Sequence, residues 1–164
     1  MPPEVHIRSL RPADIDLVQA FVRGLSPQSR RDRYFSAIRE LGPRQLERMT
    51  RATDPRHLNL GALHGGMLVA VAEYAQGEFG VAVADAWRGS GLGRALMQRL
   101  LAHAERHGLP APHGLVRAGN RAMLHLAASL GFRVTRDADP ELLCLHYKCN
   151  SGAAGGNSAA MSGA

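Results

Sequence analysis

The sequence predicts an α/β (α+β) protein with one domain. Its 164 residues are the length of a single domain, and its hydrophobic fraction of 45% is typical of a globular chain that buries a core. Segments with strand periodicity and segments with helix periodicity alternate along it, in the order β, helices, βββ, α, β, α, ββ. We expect the domain to span residues 1–149. Residues 150–164 are Gly, Ala, Ser and Asn with one Met, so we expect a disordered tail there.

The first third of the chain predicts one strand and three helices. Residues Val5 to Leu10 alternate between apolar and polar side chains, as a half-buried strand does. Asp14 is placed to cap a first helix, and Ser26 followed by Pro27 starts a second, which is rich in arginine. A third helix begins at Gly42-Pro43 and runs to Met49.

The rest of the chain predicts a hairpin followed by alternating strands and helices. Strands over Leu58–Leu63 and Met67–Tyr74 are joined by a glycine-containing turn, and a third strand covers Glu78–Ala84. The clearest helix runs from Leu92 to His107, because its apolar residues fall on one side. The remaining predicted elements are a strand over 114–117, a helix from Asn120 to Leu130, and strands over 133–135 and 142–147.

Charge and composition narrow the possible partners. The net charge is +6 and 19 of the 20 basic side chains are arginine, which favours an anionic ligand such as nucleic acid or a polyphosphate. No nucleic-acid motif accompanies the arginines, and no apolar run approaches the ~20 residues of a membrane span. We therefore expect a cytoplasmic protein that binds neither nucleic acid nor membrane. Cys144 and Cys149 are expected to be free thiols, and no metal site is expected.

A glycine-rich turn lies between a predicted strand and the clearest helix. Its glycines permit close approach of a ligand, and the first N–H groups of the helix favour an anion such as pyrophosphate. Arg88 and Arg94 flank the turn and add positive charge. The residues predicted to bind this anion are Arg88, Gly89, Ser90, Gly91, Leu92, Gly93 and Arg94.

Two other interpretations of this turn fail on spacing. A Walker loop requires lysine followed by Ser or Thr after the last glycine, and Arg94-Ala95 stands there. A dinucleotide fingerprint requires glycine at position 94 and an acidic residue about 20 positions on, where His113 and Gly114 stand. A flexible turn without a ligand is the remaining alternative.

The Arg-x-x-Gly-x-Gly spacing after a strand that ends in valine resembles the pyrophosphate loop of the GNAT superfamily of N-acetyltransferases. The segment from Asn120 to Phe132, which ends in Leu-Gly-Phe, resembles a second GNAT motif. Residues 78–132 look most like the acetyltransferase domain of bacterial protein lysine acetyltransferases (Pat-type). The resemblance implies a central mixed, mostly antiparallel sheet of six to seven strands flanked by about four helices.

The resemblance also implies acetyl-CoA as cosubstrate and direct attack by an amine on the thioester in a ternary complex. Backbone N–H groups over Val81, Ala82 and Val83 would hold the pantetheine arm and polarise the carbonyl. Asn120 would contact the same arm, although Asn at this position is also an ordinary helix cap. Alternation along the strand places Glu78 and Gly80 on one face with the alanines, which leaves room for a ligand beside Glu78.

Glu78 occupies the position of the general base in the lysine acetyltransferases, and an amine with a pKa of ~10.4 needs a base near neutral pH. A solvated glutamate without a role is the alternative, and Glu73 is the reserve candidate. Many GNAT enzymes carry a general-acid tyrosine seven residues after the Asn, where this chain has Ala127. Tyr147 and His125 are possible substitutes.

The resemblance implies that the acceptor is a lysine of another protein, such as an acyl-CoA synthetase. A small-molecule amine and a non-catalytic acetyl-CoA sensor are the alternatives. Three arginines of the second helix, Arg30, Arg31 and Arg33, border the acceptor cleft in relatives and are candidates for steering an acidic acceptor, although arginines on a helix are usually solvated.

Overall fold

The computed structural model describes residues 4–51 and 54–148, and the predicted tail lies outside these residues. Seven strands and five α-helices follow one another in the predicted order. The strands are β1 (His6–Ser9), β2 (His57–His64), β3 (Met67–Ala75), β4 (Glu78–Val83), β5 (His113–Arg117), β6 (Phe132–Arg136) and β7 (Leu142–Tyr147). The α-helices are α1 (Ile15–Gly24), α2 (Pro27–Tyr34), α3 (Pro43–Thr50), α4 (Leu92–Arg106) and α5 (Arg121–Ser129), and short 3-10 turns cover Pro12–Asp14 and Asp85–Trp87.

The strands form one sheet in the order β1-β2-β3-β4-β5-β7-β6. Five of the six neighbouring pairs are antiparallel, and β4 with β5 is parallel. The predicted mixed, mostly antiparallel sheet is therefore confirmed. Five helices flank it rather than about four.

Helices cover both faces of the sheet. On one face, the apolar side of α4 is fully buried, including Leu96 and Leu100, and packs with Val116 and Leu145 of the second half of the sheet. On the other face, Val18 and Val22 of α1 are fully buried in a second cluster. Within the described ranges, none of the helices combines the length and the hydropathy that crossing a membrane requires.

Two predicted helix starts have different outcomes. The Ser26 hydroxyl accepts a hydrogen bond from the Ser29 N–H at 3.1 Å, so the predicted cap of α2 is present. Asp14 stands at the N-cap of α1, but its side chain makes no cap hydrogen bond there. The Arg8 guanidinium donates to both Asp14 oxygens, at 2.6 and 2.9 Å, and this contact holds the pKa of Asp14 below its usual value.

Candidate active site

Strands β4 and β5 are joined at one end only. Their register comprises a single pair, Glu78 with His113, and the His113 N–H donates to the Gly77 carbonyl at 2.8 Å. Beyond this pair, no ladder joins the two strands in the part of the chain that the structure describes. The sheet therefore opens into a gap beyond Glu78.

The backbone of β4 presents N–H groups to this gap. Ala84 donates its N–H to the Val69 carbonyl of β3 at 2.8 Å, and successive residues of a strand alternate the side to which they donate. The N–H groups of Val81 and Val83 therefore point away from β3, across the gap. These are two of the residues predicted to hold the pantetheine arm and the carbonyl.

The glycine-rich turn places free donors beside the gap. Gly89 has φ of 74°, and Gly91, the N-cap residue of α4, has φ of 87°; both values lie in the left-handed region that favours glycine. No side chain caps α4, and its first hydrogen bond runs from the Ala95 N–H to the Gly91 carbonyl at 3.0 Å. The N–H groups of the first turn of α4 thus have no backbone partner in the described ranges and are available to an anion at the positive end of the helix. The N–H groups of Arg88 and Ser90 are not available, because they donate to backbone carbonyls at 3.4 and 3.3 Å.

A cavity of about 720 Å³ joins the turn to the gap. Every residue that the sequence analysis predicted to bind the cosubstrate lines it: Val81, Ala82, Val83, Arg88, Gly89, Ser90, Gly91, Leu92, Gly93, Arg94 and Asn120. Their roles in binding stay predictions, but the fold gathers all of them around one space.

Polar side chains of this cavity fit an anionic ligand. The Ser90 hydroxyl is buried without a hydrogen-bond partner among the described residues, and buried polar groups are normally paired. Serine hydroxyls hold both flanking guanidinium groups: Arg88 donates to Ser29 Oγ at 2.6 Å and Arg94 to Ser129 Oγ at 2.5 Å. The site thus offers a free hydroxyl and two positioned cations.

Gly93 has a packing role that the sequence analysis did not foresee. A Cβ at this position would stand 3.2 Å from Leu126 Cδ2 of α5 and 3.7 Å from Val83 Cγ2. The absence of a side chain lets α4 approach α5 across the end of the cavity.

A smaller cavity, of about 250 Å³, lies on the Glu78 side of the gap. Apolar side chains of Phe35, Phe79 and Leu115 line it together with the carboxylates of Asp32 and Glu78. It shares several lining residues with the larger cavity, so the two spaces meet around Asp32, Arg33, Val81, Asn120 and Met123.

Glu78 and Glu73 have opposite surroundings. Glu78 is exposed, and no hydrogen bond or ion pair engages its carboxylate within the described ranges. Glu73 is 9% exposed and accepts from Arg33 at 2.9 Å and from Arg48 at 3.2 Å. Glu73 is thus engaged in a structural ion-pair network, and Glu78 is the carboxylate left free.

The space expected beside Glu78 is filled at Gly80. A Cβ at Gly80 would collide with the Arg33 guanidinium, which lies against the strand at this point. Arg33 therefore occupies the space directly over Gly80, and the room beside Glu78 is the smaller cavity, which both Glu78 and Gly80 line.

The proposed steering role also needs revision for Arg33. Its side chain is 17% exposed and paired with Glu73, so it lies in the cleft rather than on a solvated helix face. Arg30 donates to the Leu25 carbonyl at 2.5 Å, and Arg31 to the Gln28 side chain at 3.3 Å.

The residues considered for a general acid differ in whether they line a cavity. Ala127 is fully buried in the core. Tyr147 packs against Phe132, with ring centroids 5.1 Å apart, and lines neither cavity. Of these residues, His125 alone lines the larger cavity.

Asn120 lines both cavities. Its side chain accepts from the Met123 N–H at 3.2 Å, so its predicted helix-capping role is present whether or not it also contacts a ligand.

Sequence reasoning missed several residues of the smaller cavity. His113 stands opposite Glu78 in the β4–β5 register, and His146 stands opposite His113 in the next strand pair. Both imidazoles line the smaller cavity, as do Asp32 and Phe35 of the α2 region. No local motif marks these positions, because strand register alone brings the histidines beside Glu78.

Among residues 4–51 and 54–148, no group of three or more His, Cys, Asp or Glu side chains is arranged to hold a metal.

Comparison with known proteins assigns the family. The model of the Acetyltransferase (GNAT) family matches residues 24–132. Acetyltransferase PA5475 of Pseudomonas aeruginosa is 33% identical in an alignment 152 positions long that covers 87% of this chain and 82% of that protein. The chain therefore belongs to the GNAT acetyltransferase family, and the predicted enzyme class, an acyltransferase, is confirmed.

Solved structures agree on the fold. The GNAT domain of S. lividans PAT superposes with a TM-score of 0.82 at 21% identity, covering 87% of this chain and 89% of that one. NAA60 of Arabidopsis thaliana, solved in complex with acetyl-CoA, has a TM-score of 0.69 at 13% identity and covers 89% of this chain and 99% of that one.

Proposed function

We propose that this protein transfers the acetyl group of acetyl-CoA to the side-chain amine of a lysine on another protein, by direct attack within a ternary complex. One observation carries the proposal: the gap between β4 and β5 opens onto the uncapped N-terminus of α4 within a single cavity. A thioester and a pyrophosphate attached to one long cosubstrate fit such an arrangement, and the acetyl-CoA complex of NAA60 supports this choice of donor.

Different groups of the protein would bind different parts of acetyl-CoA. The α4 N-terminus, the Ser90 hydroxyl and the two arginines would hold the pyrophosphate. The Val81 and Val83 N–H groups would hold the arm and donate to the thioester carbonyl oxygen, where negative charge develops during attack. The cosubstrate supplies an activated acyl group, and the protein supplies position and electrostatics.

Glu78 would accept the proton of the incoming ammonium. With a lysine pKa of ~10.4, nearly all of the acceptor is protonated at pH 7, so the nucleophile must first lose that proton. The amine nitrogen then forms a bond to the carbonyl carbon as the carbon–sulfur bond breaks, and the nitrogen loses a second proton, which balances the proton that the departing thiolate takes up. A thiol has a pKa of about 8.5, so the departing thiolate needs no dedicated acid. His125 lines the larger cavity and would be the first candidate to protonate the thiolate if an acid is used.

A protein acceptor is supported by charge and by likeness of fold. The net charge of +6 favours an acidic partner surface, and the high structural similarity to the PAT domain supports the Pat-type resemblance. By that resemblance, an acyl-CoA synthetase is the acceptor to test first. One observation favours a small amine instead: two carboxylates, Asp32 and Glu78, line a cavity of only about 250 Å³.

The test is the rate of CoA release by the wild-type protein with acetyl-CoA and either an acyl-CoA synthetase or a panel of small amines. The matched control is the same synthetase with its lysines reductively methylated. Release with the unmodified synthetase alone supports the proposal, and release with an amine alone moves the function to small-molecule acetylation. A melting temperature raised by acetyl-CoA without release from any acceptor would favour a sensor.

A further inference from the structure

Phe35 has a left-handed backbone conformation that is unusual for a residue with a large side chain. It follows α2 as the C-cap residue with φ of 57° and ψ of 18°, and its N–H donates to the Arg31 carbonyl at 2.9 Å. Glycine is the usual residue at this left-handed position, because a Cβ there is strained. The other non-glycine residue with positive φ in the described ranges, Gln76, precedes Gly77 in a tight hairpin turn that requires such values.

The Phe35 ring also gains little from burial. It is 46% exposed and lines the smaller cavity. Leu115, on β5, lines the same cavity and is 47% exposed. A strained aromatic residue and an exposed leucine that share one cavity indicate a surface shaped for a ligand rather than for the core.

The chemistry of the cavity indicates the ligand. Its apolar residues accompany the carboxylates of Asp32 and Glu78, and it meets the larger cavity at Val81. A lysine side chain has matching parts, since it carries four methylenes and a terminal ammonium. A compact amine has the charge without the apolar arm.

We propose that Phe35 and Leu115 bind the aliphatic arm of the acceptor lysine and so determine specificity for long amines. This inference rests on the proposed function. The ammonium end then lies toward the carboxylates and the gap. Phe35 is a specificity residue and takes no part in proton transfer.

The experiment compares two probes, Nα-acetyl-lysine methylamide and its analogue with a single side-chain methylene, Nα-acetyl-2,3-diaminopropionate methylamide. The measured quantity is the ratio of their kcat/KM values, because differences in intrinsic amine reactivity cancel when protein variants are compared. Three methylenes held by a half-open apolar wall correspond to about tenfold in this ratio. In Phe35→Gly we expect the ratio to fall about tenfold, while the melting temperature is unchanged or raised.

Two variants serve as controls. Phe35→Tyr keeps the ring and should keep the ratio. Met67→Ala removes another exposed apolar side chain, 66% exposed and outside both cavities, and should also keep it. An unchanged ratio in Phe35→Gly would overturn the inference and leave the proposed function standing. A lowered melting temperature with an unchanged ratio would give Phe35 a structural role. A wild-type protein that acetylates neither probe nor any protein acceptor would refute the proposed function and this inference together.

Discussion

The two cavities of the cleft differ in the groups that line them, which are mainly backbone in one and side chains in the other. The larger cavity, which we propose to hold the donor and call the donor half, consists mainly of backbone: N–H groups of Val81 and Val83, the uncapped start of α4, and glycines at 89 and 91. The smaller cavity, which we propose to hold the acceptor and call the acceptor half, consists of side chains from α2, β4, β5 and β7. Backbone donors suit a cosubstrate whose pyrophosphate and thioester never change, and side chains suit an acceptor that differs among enzymes.

The two halves also differ in whether neighbouring residues of the sequence or long-range contacts form them. Most of the donor half lies on one continuous segment, from β4 through the turn into α4. The acceptor half depends on long-range contacts, such as Arg33 of α2 against Glu73 of β3. Substitutions should therefore separate donor binding from acceptor chemistry.

The largest expected effect is that of Glu78→Gln. The variant keeps the shape of the side chain and removes the proton acceptor, so kcat should fall about 100- to 1000-fold. The KM for acetyl-CoA should change little, because Glu78 lines the smaller cavity and does not line the larger one. Steady-state kinetics of CoA release checks both values.

Glu105→Gln, which removes an exposed carboxylate from α4, is the control and should keep the wild-type kcat. A kcat for Glu78→Gln within about threefold of wild type would transfer the role of base to His113, its partner in the sheet register.

Glu73→Gln should affect stability rather than chemistry. The variant leaves Arg33 in the cleft without its anionic partner, and we expect the free energy of unfolding to fall by about 2 kcal/mol. This figure lies below the range for fully buried pairs because Arg48, the second partner, is 58% exposed. Urea unfolding measures the change.

The control for Glu73 is Glu40→Gln, which breaks an exposed pair with Arg23 and should cost less than about 1 kcal/mol. A loss of kcat as large as that expected for Glu78→Gln would identify Glu73 as the base.

The same division explains what the sequence could predict. The residues from Arg88 to Arg94 follow one another along the chain, and their glycine spacing between a strand and a helix has a direct physical meaning, so they could be named in advance. The resemblance, and not the spacing, predicted Val81–Val83 and Asn120. The seven strands followed from their periodicity, although the order of β7 and β6 at the sheet edge did not.

The acceptor half could not be predicted in the same way. His113 and Glu78 are separated by a strand end, a turn and all of α4, and only the register makes them neighbours. The filling of Gly80 by Arg33 depends on how α2 packs over the sheet. The capping role of Asp14 was predicted wrongly for a different reason, since Arg8, six residues earlier on β1, competes with the helix for its carboxylate.

Gly91→Ala tests the backbone character of the donor half. Alanine at φ of 87° is strained and forces the turn to change shape, so we expect the dissociation constant for acetyl-CoA to rise about tenfold. Binding is measured by titration calorimetry.

Gly108→Ala is a matched control, because Gly108 also has positive φ, 59°, and open space around its Cα, yet lines neither cavity. Both variants should lose about 1–2 kcal/mol of stability to strain. Equal acetyl-CoA affinity in the two variants would refute the role of the turn.

The smallest expected effect concerns Asp85, which joins the two halves. Its carboxylate accepts from the Ser26 N–H at 2.9 Å and from the Ser29 hydroxyl at 2.7 Å, so it ties the start of α2 to the donor turn. Burial alone would raise the pKa of Asp85, but these hydrogen bonds and the nearby Arg88 hold it below its usual value. The ionised form therefore stabilises the folded protein at neutral pH, and this contribution is lost as the pH falls through the lowered pKa.

Asp85→Asn should consequently reduce the free energy of unfolding at pH 7, by less than about 1 kcal/mol because the side chain is 39% exposed and screened by solvent. Urea midpoints of wild type and variant should converge as the pH falls below about 4, the ordinary pKa of aspartate. Because α2 carries Asp32 and Arg33, the KM values for donor and acceptor should both rise, by about two- to threefold. A rise in the donor KM alone would show that the two halves bind independently. A stability difference at pH 3 as large as that at pH 7 would assign the effect to packing rather than to the charge of Asp85.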